Sequence, residues 1–153
     1  MSAVPIPKLQ FRRMRMADLS EVARLEKSLY DFPWSLGNFR DSLTAGYDCW
    51  TVVHGETVIG YAVLMVALEE AHLLNFAIAA EWQNQGVGRG FLSHVVGVAR
   101  EAGCQIVYLE VRPSNLAARH LYRKAGFQQI AIRPEYYPAH HGREDALFLG
   151  LSL

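Results

Sequence analysis

Apolar residues along this chain recur in two rhythms, and the switches between them mark its elements. Residues 9–14 read as a short strand. In "MADLSEVARLEKSLY" the apolar positions Leu19, Val22, Ala23, Leu25 and Leu29 follow a helical stripe. "DFPWS" breaks it. Pro33 ends one helix, and Ser35 suits the N-cap of a second that runs to about Thr44. Three strand-like runs follow, "CWTVV", "TVIGYAVLMVAL" and "AHLLNFAIA", the first two joined by the hairpin signal "HGE".

From Gly86 to Ala102 the period is helical again. Val87, Phe91, Leu92, Val95, Val96 and Ala99 share one face, and Gly103 suits the position past the C-cap. "CQIVYLEV" is a strand, and "SNLAARHLYRKAG" a helix with Ser114 as its expected N-cap and Gly126 just beyond its end. Two last strands, "FQQIAI" and "DALFLGL", flank a loop rich in Tyr, Pro and His. The order is β-α-α-β-β-β-α-β-α-β-β. Tight links make the early strands antiparallel, whereas the crossover through the Gly86 helix makes its flanking strands parallel. The prediction is an α/β fold, a mixed sheet with helices on its faces.

A length of 153 residues predicts a single domain spanning 1–153, large enough to bury a core. The chain is 51% hydrophobic and 20% charged, an ordinary globular balance that argues against disorder. Lys plus Arg and Asp plus Glu each number 15, so there is no basic excess for nucleic acid or an anionic membrane. The N-terminal "MSAVPIPKLQFRRM" lacks the apolar core of a signal peptide, and no run approaches a membrane span. Cys49 and Cys104 are isolated, without metal-type spacing. The expectation is a cytoplasmic chain with two idle thiols and no direct contact with nucleic acid or membrane.

The densest chemical signal is "AEWQNQGVGRGF" at 80–91, with Gly86, Gly88 and Gly90 at the head of a helix. A Walker-type phosphate loop needs Lys and Ser or Thr after its last glycine, and Arg89 and Gly90 stand there instead. The dinucleotide fingerprint fits Gly86-Val87-Gly88, with Glu110 closing the next strand. It fails at 91, which is Phe, and in the six residues between strand and glycines. Two readings stand on the loop alone. One is a nest of backbone N–H groups that holds an anion at the helix N-terminus. The other is a glycine-rich helix start that packs closely on the sheet.

"QNQGVG" at 83–88 fits the Q/R-x-x-G-x-G/A loop of the GNAT acetyltransferase superfamily, and "YLEVRPSNLAARHLYRKAGF" at 108–127 resembles that superfamily's later motif. More narrowly, the chain resembles the bacterial ribosomal-protein alanine N-acetyltransferases, the RimI-like group. Their "LEVR-x-SN-x-A-A-x-x-LY-x-x-x-GF" is matched at every fixed position, and "FPWS" at 32–35 and "YYP" at 136–138 followed by "GREDAL" agree as well. The resemblance runs from about residue 11 to the C-terminus. It implies the GNAT fold, with a splayed strand pair in the central sheet, and transfer of an acetyl group from acetyl-CoA, as co-substrate, to a peptide N-terminus.

The resemblance carries Glu110 over as general base. Ile106, Tyr108 and Glu110 share one strand face, so the carboxylate continues a row. The chemistry fits an α-amine, whose ordinary pKa of about 7.7–8.0 lies well below the ~10.4 of lysine. Tyr122 carries over as the general acid for the departing thiolate, since a phenol near ~10 stays protonated at neutral pH. Phe76, Ala77 and Ile78 would offer strand backbone to the pantetheine arm. Asn84, Gln85, Gly86, Val87, Gly88 and Arg89 would wrap the pyrophosphate, and Asn115 would contact CoA further along. Asn84 and Gln85 stand where the family often has Arg, which predicts weaker affinity. Phe32, Pro33 and Trp34 would line one side of the peptide groove, Tyr136 and Tyr137 the other.

Other features carry less. Glu69 and Glu70, before the fourth strand, are either an acidic attraction for a basic peptide or a solvated hairpin turn. His140 and His141 have no companion ligand spacing, so no metal is expected. His72 and His120 flank important segments without an assigned role. The acceptor implied is the N-terminal alanine of a small-subunit ribosomal protein, attacked directly in a ternary complex because no Cys or Ser sits in a nucleophile context. A GNAT enzyme acting on a small amine or lysine side chain is the alternative, and a non-catalytic CoA-binding module is the third.

Overall fold

Strands Leu9–Arg13 (β1), Asp48–His54 (β2), Thr57–Ala67 (β3), Glu70–Ile78 (β4), Ile106–Val111 (β5), Gln128–Pro138 (β6) and Arg143–Ser152 (β7) form a sheet ordered β1-β2-β3-β4-β5-β7-β6. The structure is a computed structural model and describes residues 8–153; residues 1–7, half of the stretch read above for a signal peptide, lie outside it. Helices are Leu19–Leu29 (α1), Leu36–Thr44 (α2), Val87–Glu101 (α3) and Leu116–Lys124 (α4). The pair β4–β5, joined through α3, is parallel, and the other neighbouring pairs are antiparallel. The element order is the predicted one.

Two apolar layers lie on the two faces. Phe91, Leu92, Val95 and Ala99 of α3 pack with Ala62 and Leu64 of β3, while Leu19 and Val22 of α1 and Phe39 of α2 pack with Tyr61 and Val63. Strand alternation sends neighbouring residues of β3 to opposite layers. Helices α1 and α2 lie over β2 and β3. On β5, Val107, Leu109 and Val111 are buried, whereas Ile106, Tyr108 and Glu110 keep some exposure. Their face is therefore open for another role.

Two local readings need correction. The N-cap of α4 is Asn115, whose side chain accepts a hydrogen bond from the Ala118 N–H at 3.2 Å; Ser114 instead donates through its hydroxyl to Glu144. The loop rich in Tyr, Pro and His is mostly strand, because β6 continues to Pro138 and pairs Tyr137 with Glu144 and Pro138 with Arg143. A register shift between Arg133 and Tyr137, with Glu135 at φ 50, absorbs Pro134. β6 is an edge strand, where proline costs no ladder bond on the open side.

The feature that positions the site is in β4. Its register against β3 passes from Leu64↔Leu73 to Val63↔Asn75, leaving Leu74 as an extra residue, a β-bulge. The bulge reverses the alternation: Ala71 and Leu73 face the α3 layer, whereas after it Ala77 faces the α1 layer and Ile78 the α3 layer. Pairing of β4 with β5 stops at Leu73↔Leu109. Beyond that rung the strands part, with Leu74–Ile78 on one side and Glu110–Val111 on the other. This is the splayed pair that the resemblance implied.

Candidate active site

A cavity of about 1160 Å³ fills the splay and runs out at both ends. That is ample for a cofactor-sized ligand, since such sites span about 300–1,000 Å³. Phe76 and Ile78 line it from β4, Leu109 and Glu110 from β5, and Leu121 and Tyr122 from α4. Ala77 points its side chain into the opposite layer, 5% exposed, and does not line the cavity.

One end is formed by the start of α3. Gly86 is the N-cap at φ 84, a conformation natural to glycine, and no side chain caps the helix. The first intrahelical bond recorded there is Gly90 N–H to Gly86 O at 3.1 Å, so the N–H groups of Val87, Gly88 and Arg89 have no partner within the helix. Unpaired amides at a helix N-terminus suit a phosphate. Asn84, Gly86, Gly88 and Arg89 line the cavity. The Gln85 side chain turns back to donate to the Glu81 carbonyl at 2.8 Å, and the Val87 side chain is buried in the core. A methyl added at Gly88 would meet Leu121 and Ile78 at ordinary distances of 3.6 and 3.7 Å, and one added at Gly86 would meet nothing within 4 Å. Close packing therefore does not demand these glycines. The amides and the open space fit a pyrophosphate.

At the other end two aromatic walls meet. Arg112 lies 5.6 Å from the ring centroid of Phe32 and 4.4 Å from that of Tyr137, and it donates to the Pro138 carbonyl at 2.9 Å. His140 reaches across to Asp31 at 3.0 Å. Phe32, Trp34 and Tyr137 line the cavity. Pro33 is exposed beside them, and Tyr136, 46% exposed, stacks edge-on against Tyr137 rather than facing inward. Asn115 lines the wall between the two ends. Glu69 and Glu70 sit at the β3–β4 turn, at the end of β4 away from the splay, so they do not reach the site.

Between the ends stand one carboxylate and one phenol. Burial, with Tyr30 and Tyr137 nearby, raises the pKa of Tyr122 above its ordinary value, so its hydroxyl stays a proton donor. Glu110 is tethered from behind. Its Oε2 lies 2.5 Å from His72 Nε2, and its Oε1 accepts from Arg133 Nε at 3.2 Å. Such a pair can take a proton from an incoming amine and give one to a leaving thiolate.

Sequence reasoning missed three contributors. His72 and Arg133 hold Glu110, and the strand pairing that sets His72 opposite Tyr108, two residues from Glu110, was the available signal. Glu26 occupies the buried stripe of α1, a glutamate 3% exposed. It accepts from Tyr61 Oη at 2.5 Å, Asn75 Nδ2 at 3.1 Å and the Trp34 N–H at 2.8 Å, which ties the aromatic loop to β4. A charged residue in an apolar stripe was visible in the sequence.

The family model for the Acetyltransferase (GNAT) family matches residues 11–127. The chain is 34% identical over 140 residues to the ribosomal protein bS18-alanine N-acetyltransferase of Escherichia coli strain K12, covering 92% of this chain and 95% of that one. It is 33% identical over 142 residues to the Haemophilus influenzae protein of the same name, covering 92% and 97%. A crystal structure of the E. coli ribosomal-protein-S18-alanine N-acetyltransferase matches with a TM-score of 0.88 at 33% identity, over 95% of this chain and 94% of that chain.

Proposed function

The chain belongs to the GNAT acetyltransferase family, and on that premise we propose that it moves the acetyl group of acetyl-CoA to the N-terminal alanine amine of a small-subunit ribosomal protein. One observation carries the reading: a single cavity joins an amide-lined helix start to an aromatic mouth, with Glu110 and Tyr122 between them. The relatives' activity on bS18 points to the acceptor. The bridged mouth, closed over by Asp31 and His140, favours a thin peptide terminus over a side chain on a folded surface.

In this mechanism the Val87, Gly88 and Arg89 amides hold the pyrophosphate, and the pantetheine arm lies in the gap beside Phe76, Ala77 and Ile78. The free edge of β4 offers N–H groups to the thioester oxygen as negative charge develops on it. Glu110 removes a proton from the α-ammonium. The freed nitrogen attacks the thioester carbon, and the C–S bond breaks as the tetrahedral intermediate collapses. Tyr122 gives its proton to the departing sulfur, and the second proton that the nitrogen sheds as the amide forms restores the phenol. Asn115 contacts CoA further along, and Phe32, Trp34 and Tyr137 flank the peptide. Cys49 and Cys104 are buried and do not line the cavity, in keeping with direct transfer.

The test mixes the protein, acetyl-CoA and an unacetylated small-subunit ribosomal protein, and locates added acetyl by peptide mass spectrometry. Label on the N-terminal alanine, absent with Glu110→Gln, is the expected result. Faster acetylation of free small amines or internal lysines would move the acceptor to another class.

A further inference from the structure

The cavity explains why a carboxylate stands at 110 but not why it carries two tethers. Glu110 faces the cavity with a side chain only 9% exposed, and His72 and Arg133, behind it, do not line that cavity. The two tethers differ. Arg133 is 45% exposed, contacts Oε1 at 3.2 Å and is braced over the Phe148 ring at 4.3 Å. His72 is 25% exposed and meets Oε2 at 2.5 Å, the closer of the two.

A carboxylate that must receive a proton from a bound amine needs one orientation, with a lone pair aimed at the substrate. A permanent cation supplies that orientation at the expense of basicity, because it favours the charged carboxylate. A neutral imidazole N–H orients without adding charge. When protonated it becomes a second cation and weakens the base.

We propose that His72 is a positioning residue for Glu110: its contact with Oε2 fixes the carboxylate toward the acceptor amine, and a protonated imidazole there would act as a second cation and weaken the base. The proposal rests on Glu110 acting as the proton acceptor in the reaction above. The groups facing the imidazole are Glu110 and its register partner Tyr108 on β5, Arg133 on β6, the uncharged Phe148 on β7 and Met65 on β3, and Glu70 on its own strand. Tyr136 and Tyr137 lie next out from the carboxylate. Of these, the His72–Glu110–Arg133 chain is the one in direct contact.

The test compares His72→Leu and His72→Gln with the parent on an alanine-initiated peptide. His72→Leu should lower kcat about tenfold or more at every pH while leaving the KM for acetyl-CoA within about twofold, since general-base catalysis contributes at least that much. His72→Gln keeps an N–H for Oε2 and does not titrate. It should recover most of kcat and hold that activity to lower pH than the parent. A kcat for His72→Leu within twofold of the parent, or a pH profile identical in parent and His72→Gln, overturns the proposal. A second readout needs no acceptor: the His72 imidazole resonances, followed by NMR against pH, should titrate differently in Glu110→Gln. Identical titration overturns the coupling. A parent that leaves the peptide untouched strikes the acceptor reading instead, and the NMR titration then decides the His72 contact alone.

Discussion

Leu73 and Leu109 form the last rung of the parallel β4–β5 ladder, and the next residue on each strand, Leu74 and Glu110, already lines the cavity. The carboxylate is thus fixed at the vertex of the splay by main-chain pairing one residue away. Its reach is set by side-chain length alone. Glu110→Asp withdraws it by one methylene from both tethers and from the gap. A displacement on that scale should cut kcat about 100-fold. Calorimetric CoA affinity should stay at the parent value; a variant with full turnover would remove Glu110 from the chemistry.

The glycines at the α3 start should separate stability from binding. Gly88→Ala has room for its methyl, at 3.6 Å from Leu121, so the fold should be unharmed or gain up to about 1 kcal/mol of helix propensity. Its KM for acetyl-CoA should rise, because the position lines the cavity. Gly86→Ala forces φ 84 on a residue with a Cβ and should cost about 1–2 kcal/mol. Thermal melts and saturation curves check both.

Tyr122→Phe keeps the ring that packs edge-on against Phe127 at 5.7 Å and removes only the hydroxyl. Turnover should fall at least about tenfold with both KM values nearly unchanged, as expected for loss of an acid that acts on the leaving group. Unchanged turnover assigns the proton to another donor.

Glu26→Gln puts an amide NH₂ among three donors, Tyr61, Asn75 and Trp34 N–H, so one of them loses its acceptor. The expected loss is about 1–3 kcal/mol in a denaturant melt. The loosened Trp34 loop should raise the KM for peptide but not for acetyl-CoA.

Acid stability should depend on Asp18. Its hydrogen bonds to Arg12, at 2.7 and 2.9 Å, lower its pKa below the ordinary carboxylate value, against the opposing effect of burial. A lowered folded value means that the unfolded chain takes up the proton first as pH falls. The stabilisation is complete above the unfolded value of about 3.9 and is lost as pH falls through the folded one. Asp18→Asn should therefore lose about 1–3 kcal/mol at neutral pH. The gap to the parent should close in melts below pH 4.

The repeating patterns were legible. The stripes of α1 and α3, the Ser35 cap and the parallel crossover all follow from spacing that local physics enforces. The bulge at Leu74 was not, because "AHLLNFAIA" alternates too weakly to show where its phase reverses. Nor was the length of β6, whose prolines read as a loop until an edge position made them tolerable. The family motif pointed to Glu110 and Tyr122, and both line the cavity. It gave nothing on His72, whose contact depends on which strands are neighbours rather than on any local pattern.

The α3 end of the cavity presents peptide groups, which alters how the region answers to genetics. An alanine scan across 84–89 trims side chains at Asn84, Gln85, Val87 and Arg89 and adds a methyl at Gly86 and Gly88, but it leaves the amides of Val87, Gly88 and Arg89 in place and so never tests them. Replacing single amides by esters would reveal what such a scan conceals. Substitution in this loop is therefore limited by the torsion at Gly86 and the space at Gly88 as well as by side chains.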